Sequence, residues 1–291
     1  MDPVDILMVG HFAKDELIVD GKGAIAAGGG VYYGSMVLRR MGLKVVVATR
    51  LNSADFPLLD ELKQAGIQVF ATPAAQTSGI ANYYQSQDME RRICKPIGFA
   101  GTMALDEIPD IDARVIMITG IIAGEVDLPV VQALARRAPI AMDVQGFVRV
   151  PEGDDLVFKP WADIEDGLRE VTYLKVDRAE AEHITGETDL RAAALKLAAY
   201  GPKEIVITQS SGPTVYAAGE FFQAPFTPRS LAGRTGRGDT CFSAYVGRRL
   251  TAGPLEATRW AAAVTTLKQE KPGPWQGPLE EAEALMETQQ Y

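Results

Sequence analysis

Seven short apolar runs, separated by stretches of helical periodicity, constrain the fold of this chain more than any other feature. They are DILMVGHF (5–12), KVVVATRL (44–51), IQVFA (67–71), RVIMITG (114–120), PIAMDV (139–144), TYLKV (172–176) and EIVITQ (204–209). All are rich in β-branched residues, and most lack strict polar/apolar alternation, the pattern of strands buried on both faces. Helical patterns lie between them at about 29–41, 56–65, 127–137, 178–185 and 189–199. Gly42, Gly66 and Gly186 stand where helices close on left-handed backbone. This rhythm predicts an α/β fold with a mostly parallel central sheet and helices on both faces. In such sheets ligands bind beyond the C-terminal strand ends. With 291 residues, 47% of them hydrophobic, the chain can bury a large core in one domain.

Two segments break the rhythm. DELIVDG (15–21) reads as extended soon after the first strand, and GIANYYQSQDMERRICKPIG (79–98) as two strands around a polar turn. Together they predict a small β-sheet outside the main layer, a lid built from about 13–24 and 78–98 within a single domain spanning 1–291. The net charge of −9 argues against nucleic acid as a partner. Two distant cysteines, Cys94 and Cys241, form neither a disulfide framework nor a zinc motif. The opening MDPVDILMVG lacks a basic n-region, and no apolar run approaches the roughly 20 residues of a membrane span. A cytoplasmic protein without a membrane partner is the expectation.

The stretch LAGRTGRGDTCFSAY (231–245) carries the chemistry. Its glycines let backbone approach a ligand closely, and amides at the start of the following helix hold phosphate well. Asp239 is out of place beside phosphate unless it caps the helix or does chemistry. No Walker sequence occurs, and GGGVYYG (28–34) fails the dinucleotide fingerprint at Tyr33. His11 and His183 have no obvious partner, and both read as structural.

The di-glycine Gly28–Gly29 before the first helix, the acidic Asp15 after the first strand and the late TGRGDTCFSAY follow one another in an order that resembles the ribokinase-type (PfkB) family of carbohydrate and nucleoside kinases. The late motif, similar to D-T-x-G-A-G-D, is the specific part. The resemblance implies a ribokinase-like fold, ATP and Mg²⁺ as cofactors, and a small-molecule hydroxyl acceptor. It places Asp239 as the base that takes the acceptor proton, and Gly236, Arg237 and Gly238 as the anion hole. Asp15, Gly28 and Gly29 fall at the acceptor, with Gln145 of DVQGFVR (143–149) beside them. LKVDRAEAEHITG (174–186) resembles the N-x-x-E motif, with Asp177 and Glu180 at the metal–water end. VITQSSGPTVYAAG (206–219) resembles the strand–turn–strand along the nucleotide, where Thr208 and Gly212 match the pattern and Ser210 replaces a glycine.

The departures are as specific as the matches. Gly233-Arg234 replaces Asp-Thr, so potassium activation is doubtful. Arg237 replaces alanine and adds positive charge beside the phosphates. Tyr33 replaces an asparagine that contacts sugar hydroxyls, which turns the expected acceptor away from ribose. Tyr33, Phe12 and Tyr83–Tyr84 suit a ringed alcohol such as a cyclic polyol or a nucleoside, and a core role for Tyr33 is the alternative. The rival readings are a non-catalytic ligand-binding relative and an ATP-dependent repair enzyme on the same fold. A homodimer paired through the lid is the expected assembly, because open sheet edges invite pairing.

Overall fold

The structure is a computed structural model that describes residues 2–85 and 88–288, with the side chains of 84–92 outside the description. In chain order its strands are β1 (Val4–Val9), β2 (Ala13–Val19), β3 (Lys22–Gly28), β4 (Val45–Asn52), β5 (Gln68–Ala74), β6 (Gly79–Gln85), β7 (Asp88–Gly98) and β8 (Ala113–Ile118). Then follow β9 (Ile140–Asp143), β10 (Arg149–Glu152), β11 (Asp155–Phe158), β12 (Val171–Asp177), β13 (Glu204–Gln209), β14 (Gly212–Ala217) and β15 (Glu220–Gln223).

The nine-stranded main sheet has the order β15-β14-β13-β12-β9-β8-β1-β4-β5. The seven apolar runs form its parallel block, from β13 to β5, and β14 and β15 add an antiparallel edge. The lack of alternation in the strands has a direct cause. Ile6 and Met8 of β1 enter one core with helices Gly30–Arg40, Arg237–Arg249 and Pro254–Gln269. Leu7 and Val9 enter the other, with helices Leu128–Ala135 and Leu190–Ala199. Both faces of the strand are dry, so both parities must be apolar.

The helical expectations hold, with one change of type. The segment expected as a helix at 56–65 is a 3₁₀ helix, Ser53–Leu59, followed by one α-turn, Asp60–Gln64. Pro57 lies inside it and has no amide hydrogen to donate. Gly42, Gly66 and Gly186 all adopt positive φ at helix ends, at 84°, 79° and 72°.

The second sheet has the order β3-β2-β6-β7 and comes from the two segments that broke the rhythm. β3 extends further than the sequence suggested. Gly28 still pairs with Ala13, so the di-glycine closes a strand instead of opening a helix. The turn falls at Gly29, with φ 87°, and the helix begins at Gly30. Ala13, Ile80, Ile121 and Ile122 form the apolar joint between the two sheets. A further hairpin, β10–β11, had no clear signal in the sequence. Among the described residues no helix is long and apolar enough to cross a membrane.

The loops after β8 and β9 touch backbone to backbone. A Cβ on Gly146 would stand 2.6 Å from the Cα and 2.9 Å from the carbonyl carbon of Gly120. Backbone cannot swing aside as a side chain can. Gly146→Ala is therefore expected to lower stability by about 1–3 kcal/mol. Thermal unfolding would show this as a fall of several degrees, and an unchanged melting temperature would contradict it.

Candidate active site

β9, β12 and β13 all end at one edge of the main sheet, and the head of helix Arg237–Arg249 faces that edge. The turn before this helix is closed by Gly236 at φ 81°. A side chain there would collide with the ring of Tyr33. Only glycine combines that backbone angle with that contact. A Cβ on Gly238 would sit 3.7 Å from Lys175 Nζ and 3.8 Å from Thr208 Oγ1, so the turn lies directly on the ends of β12 and β13. The first amides of the helix are left without intrahelical acceptors and face an anion readily. Asp239 belongs to the first turn but does not cap it, since the cap is Gly236 and has no side-chain bond.

A cavity of about 330 Å³ opens at this edge. It gathers Gln145, Asp177, Thr208, Gly236, Arg237, Gly238 and Asp239, seven residues singled out in sequence from four distant segments. Arg149, Lys175 and Arg234 also line it, and Cys94 reaches it from the small sheet. Gln145 Nε2 donates to Ile121 O at 3.1 Å, tying this edge to the joint between the sheets.

A buried charge network supports the cavity floor. Glu180 is fully buried. Its Oε1 accepts from Arg149 at 2.7 and 2.9 Å, and its Oε2 accepts from the Asp177 amide at 2.6 Å. Asp177 Oδ1 accepts from the Glu180 amide at 2.8 Å, which completes a reciprocal helix cap, and its Oδ2 accepts from Arg149 at 2.6 Å. Lys175 Nζ donates to both oxygens of Asp143 at 2.9 and 3.0 Å and lies 3.8 Å from Glu180. Burial alone would raise the Glu180 pKa. The Lys175 and Arg149 charges outweigh burial and hold it below the usual carboxylate range. Burial likewise disfavours the Lys175 ammonium, but Asp143, Glu180 and Asp177 keep it charged well beyond neutrality.

This network corrects the expectation for Asp177 and Glu180. Glu180 does not line the cavity, and both of its oxygens are occupied by protein donors. Asp177, with 31% of its side chain exposed, is the member of the pair that lines the cavity. Among the described residues no group of three or more His, Cys, Asp or Glu forms a metal cage.

Other expected residues lie apart from the cavity lining. Tyr33 is 3% exposed and packs under Gly236, so its role is in the core; Phe12 is fully buried beside Tyr32. Gly212 is required by the close approach of the Ala224 carbonyl. Asp15 is buried on β2, where Oδ1 accepts from the Ile80 amide at 2.9 Å and the other oxygen leaves no room for a side chain at Gly28. Gly29 abuts the carbonyl of His11. Pairing places Leu17, Asn82 and Cys94 in one row, so Asp15 shares their face of the small sheet. Cys94 Sγ lies 3.4 Å from Asn82 Oδ1. The inner face of the small sheet therefore brings Asp15, Asn82 and Cys94 toward the cavity that holds Asp239. Tyr83 is on the opposite, exposed face, and the side chain of Tyr84 is outside the described residues.

Arg149, Lys175 and Asn82 were not singled out in the sequence. Arg149 is the last residue of DVQGFVR, and a basic residue at a strand end was the signal available for it. Lys175 and Asn82 sit inside strand patterns that carry no such mark.

Comparison with known proteins identifies the family. The pfkB family of carbohydrate kinases matches residues 8–280. The chain belongs to that family. A pyrophosphate-dependent kinase in the ribokinase family, solved with a pyrophosphate analogue and myo-inositol, is 35% identical, with 96% of this chain and 99% of that one covered and a TM-score of 0.89. A pyrophosphate-dependent myo-inositol-1 kinase converted to a myo-inositol-3 kinase is 34% identical, over 96% of this chain and 98% of that one, with a TM-score of 0.87. A cytidine kinase of Thermococcus kodakarensis is 26% identical over 265 residues, 87% of this chain and 91% of that protein. The fold is the ribokinase fold, and this pfkB-family protein is a kinase that moves a phosphoryl group from a phosphate donor to a small-molecule acceptor.

Removing the Glu180 charge tests the network. Glu180→Gln leaves Arg149 and Lys175 short of a counter-charge and is expected to cost about 3 kcal/mol near neutral pH. Because the native carboxyl is more acidic than the unfolded one, its contribution is present above the unfolded value of about 4.3 and is lost as pH falls through the native value. The stability gap between wild type and variant, read by denaturant unfolding, should therefore narrow toward acid pH.

Proposed function

We propose that this kinase transfers a phosphoryl group from inorganic pyrophosphate to one hydroxyl of a cyclic polyol of the inositol class. The observation that carries this reading is the charge of the turn before Asp239. Where the family pattern has Asp-Thr and alanine, this chain has Gly233-Arg234 and Arg237. One negative charge is missing and two positive charges are added, and both arginines line the cavity with Arg149 and Lys175. A donor without a nucleoside can be held only through its phosphates, and charge-assisted bonds from guanidinium groups are the strong way to hold them. The two kinases of 34% and 35% identity described above are pyrophosphate-dependent, and myo-inositol appears with both. ATP, the donor expected from the family resemblance, is the competing arm of the assay below.

In this reading the acceptor lies between the inner face of the small sheet and Asp239. Asp15 and Asn82 accept and donate hydrogen bonds to its hydroxyls, and Gln145 borders it. Asp239 takes the proton of the attacking hydroxyl as the oxygen–phosphorus bond forms. The bridging oxygen of pyrophosphate leaves as inorganic phosphate, and amides of the 236–239 turn face the charge on the transferring group. Mg²⁺ suits the hard oxygen of Asp177, reached through water, and would neutralise donor charge there. The small sheet acts as a lid that keeps water, a rival acceptor, from the donor. On its outer face Ile25, Tyr83, Ile93 and Ile97 are exposed, which favours a second copy of the chain as their cover.

The test supplies Mg²⁺ with pyrophosphate or ATP and a panel of inositols, pentoses, hexoses and nucleosides. Acceptor-dependent phosphate release from pyrophosphate is expected, matched by the phosphorylated polyol. Asp239→Asn should lower kcat by about 10²–10⁴-fold. Arg234→Ala and Arg237→Ala should each raise the pyrophosphate KM by roughly tenfold or more. Turnover with ATP alone would overturn the donor assignment. Binding without turnover on any acceptor would favour a ligand-binding relative. Light scattering should show a dimer that Ile93→Lys weakens.

A further inference from the structure

Lys268 lies behind the phosphate-binding turn, not in the cavity that holds Asp239. It sits near the end of helix Pro254–Gln269 and is 1% exposed. Its ammonium donates to the carbonyl of Gly233, the residue that begins the turn. It also lies 5.0 Å from the centre of the Tyr33 ring, the ring against which Gly236 packs. The amide of Gly233 donates in return to Gln269 O at 2.7 Å, so turn and helix end are joined in both directions. Burial disfavours this charge, and the carboxylate of Asp239 favours it. A dry lysine of this kind costs stability, and such groups gather at functional sites.

We propose that Lys268 is a positioning residue: a tethered cation that clamps the turn 233–238 through the Gly233 carbonyl and the Tyr33 ring, and so aligns Gly236 and Asp239 for phosphoryl transfer. The inference rests on the reading of the cavity as a phosphotransfer site. Two contacts and one charge–charge attraction converge on this ammonium. The carbonyl oxygen is its hydrogen-bond acceptor, the ring face attracts it, and the carboxylate of Asp239 draws it from the head of the helix that follows the turn. Loss of the charge loosens all three together.

The clamp is also titratable. Burial pushes the Lys268 ammonium down to about 7, and the charge of Asp239 opposes that fall. The other elements packed around it bring Arg234 from the turn and the ring of Tyr33 from helix Gly30–Arg40. A neighbouring cavity that Lys268 also lines contains Glu61, Arg229, Glu270, Lys271 and Glu281. Arg229 and Glu270 pair with each other at 2.6 Å. The clamp is thus charged below about pH 7 and released as pH rises through that value. A bound polyanionic donor adds negative charge nearby and moves the release to higher pH.

The experiment combines pH–rate profiles with hydrogen exchange of the turn in the full-length protein. Wild type should lose kcat/KM as pH rises above about 7, and should lose kcat only at a higher pH, when donor is bound. Lys268→Met keeps the volume and removes the charge. It should lower kcat about tenfold or more, abolish the alkaline limb, and regain activity with added methylammonium. Lys268→Arg should retain activity and carry the limb far above the wild-type position. Without substrate, exchange of the 234–239 amides, corrected for the intrinsic rate, should rise with pH in wild type and be uniformly fast in Lys268→Met. Wild-type kinetics in Lys268→Met, or turn exchange that neither the substitution nor pH alters, would overturn the proposal. If wild type shows no turnover with any donor, the function reading fails, and the exchange arm still decides whether the clamp exists.

Discussion

The buried carboxylate of Glu180 is the point on which the ligand-binding edge depends. It caps its own helix, holds Arg149, and stands near Lys175, which holds Asp143 in turn. These groups come from the ends of β9 and β12, the start of β10 and the first turn of helix Arg178–Thr185. Isolated charges in such a place would be expelled or neutralised. Paired, they bring two cations to the cavity floor without leaving either one uncompensated. The network therefore joins stability to function, because the bonds that finish three strand ends also pre-set the electrostatics of the donor site.

The glycines of the turn show a second kind of economy. Gly236 has positive φ and lies against Tyr33, and Gly238 touches the ends of β12 and β13. The backbone must be this close to present amides to a phosphate, and the aromatic ring must be there to stop the turn from collapsing. Tyr33, read in the sequence as an acceptor contact, is a floor for the turn.

In the proposed reading the donor and acceptor halves differ in origin. The donor half comes from the main sheet and two helices, whose packing is extensive and rigid. The acceptor half comes from a four-stranded sheet joined through a small apolar cluster at Ala13, Ile80, Ile121 and Ile122. The register of that sheet keeps Asp15, Asn82 and Cys94 on one face. Such a construction lets acceptor chemistry change with a few inward positions, with the donor site left intact.

Much of this was legible in the chain itself. Strands buried on both faces must be apolar at every position, so seven such runs separated by helical periods left little but a parallel α/β sheet. The glycine-rich turn before Asp239 was readable because few residue types tolerate its backbone. Gln145, Asp177 and Thr208 were readable because they close strands in segments that resemble the family. Tertiary structure alone decided which charges are spent on one another. It buried Glu180 away from the cavity, turned Arg149 and Lys175 toward it, placed Tyr33 beneath Gly236, and put Asn82 on the same face as Asp15. Periodicity reports which face of an element is wet, a local property. The partner of a buried charge is set by strand order and register between segments far apart in sequence, and local pattern carries no record of that.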